Sequence, residues 1–275
     1  MDALQDQEAL TEQDAWPTRK RLVDVGGHDV AYVEISGAEP ALLLLHGFTD
    51  TSRSYSLLAP HLAGRRLVIP DLRGHGASQP ETGFCISDFA ADIAGLIQRL
   101  RLDRPVAVGH SLGGMVAITL ATRHPELISG LVMLASTLKP DFSPDHPMLA
   151  GIQALRDPIS PTDPLYDWWH ACLPVVPKAF LAGMARDASA MPAARWRAIL
   201  EEVCRTDLTG AARTVRTRTL VIAGACDPLF GEAHQLVLLR ALPEAILVHA
   251  QNCGHNPHWE DPELVAKSIL QAFAA

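Results

Sequence analysis

From Leu22 onward the chain alternates short, unbroken apolar runs with longer amphipathic stretches, and this rhythm limits its fold more than any other feature. Residues 22–25 and 30–35 flank Gly26-Gly27 and read as an opening hairpin. Further runs at 41–45, 66–69, 106–108, 131–134, 219–223 and 246–249 are continuous rather than alternating, the pattern of strands covered by helices on both faces. Helices fit between them at 54–62, 87–100, 112–123, 232–241 and 262–273. The expectation is an α/β fold: a mostly parallel, eight-stranded sheet with helices on both faces.

The rhythm fails between 137 and 213, which hold no good strand, many prolines and the bulky Met148, Trp168, Trp169, Phe180, Met184, Met191 and Trp196. Roughly seventy-five residues are too many for a structureless loop, so a helical insertion is expected there. The chain then divides into a polar N-terminal leader (1–18), a core domain (19–136 and 214–275) and the insertion (137–213).

Composition removes several function classes. The 23 Lys plus Arg against 31 Asp plus Glu leave a formal charge of −8, and the only dense basic run is Arg19-Lys20-Arg21. Nucleic acid is therefore not an expected partner, because neutralising phosphates needs clustered cations. No apolar run approaches the ~20 residues that span a bilayer, so no membrane association is expected. The first eighteen residues carry acids and no Lys or Arg, the reverse of a secretory signal, and a cytoplasmic location is expected. Five cysteines without a CxxC pair and twelve histidines without HxxxH or HExxH spacing suggest no disulfide framework and no metal site, and the serine chemistry read below requires no cofactor.

The sharpest local signal is Gly109-His110-Ser111-Leu112-Gly113, placed between an expected strand and an expected helix. A serine on so tight a turn needs strained backbone angles and glycines two residues to either side, and the turn thrusts its hydroxyl into the open. A serine hydroxyl is a poor nucleophile without a histidine base oriented by a carboxylate. Asp227 and His255 follow the last two expected strands through short loops, giving the chain order Ser111, Asp227, His255. The oxyanion of a tetrahedral intermediate also needs donors. The N–H of Leu112 is one, and the N–H of Phe48, after His46-Gly47, is the other. The His46 side chain reads as structural.

These residues resemble the α/β-hydrolase superfamily, in its small branch with a helical cap. The motifs that carry the resemblance are His46-Gly47, the segment from Asp71 to Ser78, Gly109 to Gly114, Gly224 to Asp227, and Gly254-His255. The resemblance implies that Ser111 is the nucleophile, Asp227 the acid, His255 the base, and Phe48 with Leu112 the oxyanion hole. It implies a structural turn for the Asp71 segment, with no catalysis by Arg73 or His75. It also implies that the insertion caps the sheet edge bearing Ser111. Trp168, Trp169, Met148 and Met184 are then candidate substrate-binding residues, with at most one of the adjacent tryptophans facing the pocket; the alternative is that they form the cap's own core. Asp141 is the competing acid, because some members of the fold place it after the preceding strand.

The expected activity is hydrolysis of a carboxylic ester or lactone of a small, largely apolar molecule through an acyl-enzyme. Carbon–carbon bond hydrolysis or cofactor-free perhydrolysis by the same residues is the alternative. A small-molecule receptor on the same fold is a second alternative.

Overall fold

Eight strands make one sheet in the order β1-β2-β4-β3-β5-β6-β7-β8. They are β1 (Arg21–Asp24), β2 (Asp29–Ile35), β3 (Ala38–Leu45), β4 (Arg65–Pro70), β5 (Val106–His110), β6 (Gly130–Leu134), β7 (Thr219–Gly224) and β8 (Ile246–Ala250). The computed structural model describes residues 13–80 and 82–274. Only β2 is reversed, antiparallel to both its neighbours β1 and β4, and β3 to β8 run parallel. All loops leaving the C-terminal ends of the parallel strands therefore gather on one edge, where open α/β sheets bind ligands.

Side chains of the central strands alternate between two cores. Leu43, Leu45, Ala107 and Met133 face α1 (Ile86–Arg99) and α2 (Leu112–Arg123), while Leu42, Leu44, Val108 and Val132 pack on the other face against the C-terminal helix Pro262–Ala272. Burial on both faces is why these strands read as continuous apolar runs.

Between β6 and β7 the chain forms α3 (Pro147–Ala154), α4 (Leu165–Trp169), α5 (Lys178–Ser189), α6 (Ala193–Arg205) and α7 (Thr209–Ala212). Helix α6 shows how sequence specifies this segment: Trp196, Ile199, Leu200 and Val203 make a buried stripe at helical spacing, while Arg205 pairs with Glu201 on the solvent side. The remaining helices are α8 (Glu232–Ala241), α9 (Pro257–Glu260) and α10 (Pro262–Ala272).

Three expectations change. The helix expected over 54–62 is replaced by two 3-10 turns, Ser52–Tyr55 and Ala59–Leu62. Thr51 caps the first and the Ser52 N–H donates to Asp71, while Pro60 opens the second and, lacking an N–H, cannot carry a helix through from the first. Strand β8 is the sheet edge rather than a strand covered on both faces, with Ile246 47% exposed. The last part of the expected polar leader is docked. Trp16 is buried with Nε1–H donating to Ser52 Oγ at 3.2 Å, and Gln13 bonds Ser56 and the Arg53 guanidinium. Residues 1–12 of that leader lie outside the described residues. Among the described residues no helix is long and apolar enough to cross a membrane.

Candidate active site

Ser111 sits between β5 and α2 with φ 50° and ψ −115°, a left-handed backbone that a non-glycine residue adopts only when its surroundings impose it. Two contacts impose it here. The Ser111 N–H donates to Leu134 O at 3.0 Å, and Ser136 Oγ donates to Ser111 O at 2.7 Å. The flanking glycines permit the close approach: a Cβ on Gly109 would stand 2.1 Å from Gly113 O, and one on Gly113 would stand 2.1 Å from Leu45 O. Any other residue would push helix α2 off the sheet.

Asp227 is buried three residues beyond β7. Its Oδ1 accepts the N–H groups of Leu229 (2.8 Å) and Phe230 (3.0 Å), and its Oδ2 lies 2.9 Å from His255 Nδ1. Burial pushes the Asp227 pKa upward, but the His255 charge and these hydrogen bonds outweigh it and leave it below the usual carboxylate value. Burial pushes His255 the opposite way, downward, and the Asp227 charge and hydrogen bond, helped by Asp50 and Glu260, leave the imidazole above its usual value. The rival carboxylate Asp141 is exposed, and His255 Nδ1 is paired with Asp227 instead.

The backbone N–H groups of Phe48 and Leu112 have no hydrogen-bond partner among the described residues, so both are free to donate. The loop carrying Phe48 is braced by two buried histidines. His46 Nε2 accepts from the Leu72 N–H at 2.8 Å, and His75 Nε2 accepts from the Thr49 N–H at 3.3 Å. Burial keeps both imidazoles well below their usual pKa, hence neutral and able to accept. Arg73 pairs with Asp92, away from Ser111. These are bracing roles.

Ser111, Leu112, Phe48 and His255 border one cavity of about 320 Å³, roofed by the segment between β6 and β7. Trp168, Trp169 and Met148 line it as well. Both tryptophans reach it, against the expectation of one at most. Helix α4 has only five residues and ends at the cavity, and the two rings tilt 53° at 5.8 Å between centroids. Trp169 is pinned by Nε1–H donation to Thr49 Oγ1 at 2.8 Å and by an edge contact with Phe48. Met184 is corrected: it does not border the cavity but is fully buried with Phe180, Val176 and Trp259, because α5 turns that side chain into the segment's own core. Met191 and Trp196 are likewise core.

Sequence reasoning missed four groups beside the cavity. Asp50, His110 and His258 are buried and mutually close. Glu260 accepts the N–H of Gly254 at 2.7 Å and of Leu173 at 2.8 Å, tying the loop of His255 to the cavity rim. The signals were present in motifs already singled out: His110 stands inside the serine turn, and His258 and Glu260 follow His255 by three and five residues. No lysine or arginine among the described residues lines the cavity.

A family model described as "Alpha/beta hydrolase family" matches residues 42–268. The chain is 29% identical over 277 residues to 2-(acetamidomethylene)succinate hydrolase of Mesorhizobium japonicum, covering 93% of this chain and 95% of the relative. It is 32% identical over 241 residues to pimeloyl-[acyl-carrier protein] methyl ester esterase of Aromatoleum aromaticum, covering 82% of this chain and 94% of that protein. Among solved structures, the enol-lactonase from Burkholderia xenovorans superposes with a TM-score of 0.78 at 20% identity, covering 92% of this chain and 99% of the other, a likeness of fold.

Proposed function

The chain belongs to the alpha/beta hydrolase family, and from that premise we propose that it hydrolyses a carboxylic ester or lactone of a small, uncharged, largely apolar molecule through an acyl-enzyme. The observation that carries this reading is the pairing of His255 Nδ1 with Asp227 Oδ2 at 2.9 Å, in the same cavity as Ser111 and two free N–H donors. Asp227 fixes the proton of the imidazole on Nδ1, which leaves Nε2 as the base. Ser111 Oγ attacks the carbonyl carbon while His255 takes its proton. The negative charge on the former carbonyl oxygen is met by the N–H groups of Phe48 and Leu112, already in place and without competing partners. His255 then returns the proton to the departing alcohol, and water repeats the sequence on the acyl-enzyme. Residues 137–213 act as the cap, supplying Trp168, Trp169 and Met148 as the apolar wall.

The charge of the cavity supports an uncharged substrate. The Mesorhizobium relative acts, by its name, on a succinate, a dicarboxylate. Here the cavity is bordered by Asp50 and Glu260 with no lysine or arginine among its described lining residues, so a dianion would enter without a counter-charge. An ester has no such need. A panel of neutral p-nitrophenyl esters, lactones and dicarboxylates, assayed with the native protein and with Ser111→Ala, tests the reading. Turnover of neutral esters or lactones that Ser111→Ala abolishes supports it, and turnover of dicarboxylates alone overturns it.

A further inference from the structure

Beneath the cavity, Asp50, Ser54, His110 and His258 form a buried polar cluster with no part in the acyl transfer described above. Hydrogen bonding fixes where its protons sit. His110 Nε2 lies 2.9 Å from the carbonyl oxygen of His255, which only accepts, so Nε2 carries the proton and Nδ1 is bare. Ser54 Oγ lies 2.9 Å from Asp50 Oδ2 and 2.9 Å from His258 Nε2, and it accepts Trp259 Nε1–H at 3.1 Å. A hydroxyl has one proton. Ser54 donates it to the Asp50 carboxylate, so His258 Nε2–H donates to Ser54 and His258 Nδ1 is bare. The opposite tautomer would bury an N–H on His258 Nδ1, which has no partner.

The consequence falls on Asp50. Its Oδ2 is occupied by Ser54, and His110 Nδ1, at 3.9 Å, stands beyond hydrogen-bond distance. No side chain among the described residues hydrogen-bonds Oδ1, the Gly47 N–H faces the carboxylate from the backbone, and Asp50 lines the cavity beside Phe48 and Ser111. We propose that Asp50 is the polar specificity group of this pocket: its Oδ1 edge hydrogen-bonds an oxygen substituent of the substrate, next to the loop that carries Phe48. The role rests on the acyl-transfer reading for where the substrate lies, and it narrows the substrate class to acyl compounds with a carbonyl or hydroxyl oxygen near the reacting ester.

The partner Oδ1 selects depends on its proton. Burial raises the Asp50 pKa to about 7, helped by Asp187 on α5 and opposed by the Ser54 hydrogen bond, the charge of His255 and the Gly47 N–H. His110, His258 and the Tyr55 hydroxyl are the other titratable groups around it, and burial keeps all three uncharged near neutrality. With Oδ2 accepting from Ser54, a proton taken up by Asp50 goes to Oδ1. On the acid side Oδ1–H donates and suits a carbonyl oxygen. On the alkaline side the carboxylate only accepts, and a carbonyl is repelled while a hydroxyl still donates.

The test compares methyl octanoate with its β-keto and β-hydroxy derivatives, as ratios of kcat/KM on either side of neutral pH. Such ratios cancel the titration of His255, which all three esters share. The expected result is a β-keto preference of roughly tenfold on the acid side that declines as pH rises, with the β-hydroxy preference kept throughout. In Asp50→Asn the β-keto ratio becomes independent of pH. The same three ligands titrated calorimetrically into Ser111→Ala should show the same order of Kd. A native protein that turns over none of the esters while Ser111→Ala keeps that order sinks the acyl-transfer reading and spares the role of Asp50. A β-keto ratio in the native protein that stays flat with pH, equal affinities, or no binding at all overturns it.

Discussion

The loops that leave β5, β7 and β8 hold their side chains differently from the segment between β6 and β7. In the loops each functional group is fixed by a short list of directional bonds. Ser136 Oγ grips the Ser111 carbonyl, two N–H groups grip Asp227, and Asp227 grips His255. In the segment between β6 and β7 position comes mostly from mutual packing, as in the cluster of Phe180, Met184 and Trp259, with Trp169 held by an edge contact with Phe48 and one bond to Thr49. The lesson is a division of labour. Under the proposed acyl transfer, bond-making rests on locally anchored groups, and the apolar part of substrate choice on a wall that tertiary packing positions.

The largest expected effects fall on the loops. Ser111→Ala should fold and bind substrate yet lose turnover by a factor on the order of 10⁴ or more, since binding and the two N–H donors leave only residual catalysis. A serine-directed phosphonate should label the native chain once, and an active Ser111→Ala protein would falsify the assignment. Asp227→Asn should follow, with kcat lowered by roughly 10³–10⁴ because the amide leaves His255 in the wrong tautomer. Asp141→Asn should change little. Inverted outcomes for the two aspartates would move the acid to the loop after β6.

The same division explains what the sequence made legible. The glycines at 109 and 113, the order Ser111, Asp227, His255, and the continuous apolar runs are all local, and the strands they mark lie within three residues of their expected ends. What stayed hidden depended on partners far along the chain. Met184 and Met148 look alike in sequence, and only the packing of α5 against Trp259 decides that the first is core. The exposure of β8 follows from its place at the sheet edge, which no run of apolar residues announces. Asp50 was invisible because its significance comes from His258, 204 residues beyond Ser54 in the chain and joined to it by one hydrogen bond.

The pH dependence sharpens the comparison at the next level of magnitude. In the proposed mechanism His255 acts as base only when neutral, so a pKa above the ordinary histidine value should move the acid limb of kcat/KM to higher pH. Activity should fall about tenfold per pH unit below that pKa and level off above it. Since Asp227 supplies the largest upward push, following the imidazole by NMR in Asp227→Asn should show titration at lower pH. Substitutions confined to residues 137–213, such as Trp168→Ala, should leave the limb where it is. A limb at or below the ordinary histidine value in the native protein would mean that burial, not Asp227, governs His255.

The smallest effects belong to the wall, where two side chains separate lining from packing. Trp168 borders the cavity and is 44% exposed, so truncation to alanine removes substrate contacts while leaving little empty space inside the protein. Trp168→Ala should shift the ranking of ester substrates by kcat/KM by several-fold to about tenfold, with stability changed by less than about 1 kcal/mol. Met184 is fully buried behind that wall, so Met184→Ala opens a cavity among Phe180, Val176 and Trp259 and should cost about 2–5 kcal/mol of stability. Its substrate ranking should stay that of the native protein, because the lost atoms touch no substrate. Thermal melts and one substrate panel on both variants decide the matter. If Met184→Ala reorders the substrates and Trp168→Ala does not, the wall is set by the core behind it and the two roles assigned here must be exchanged.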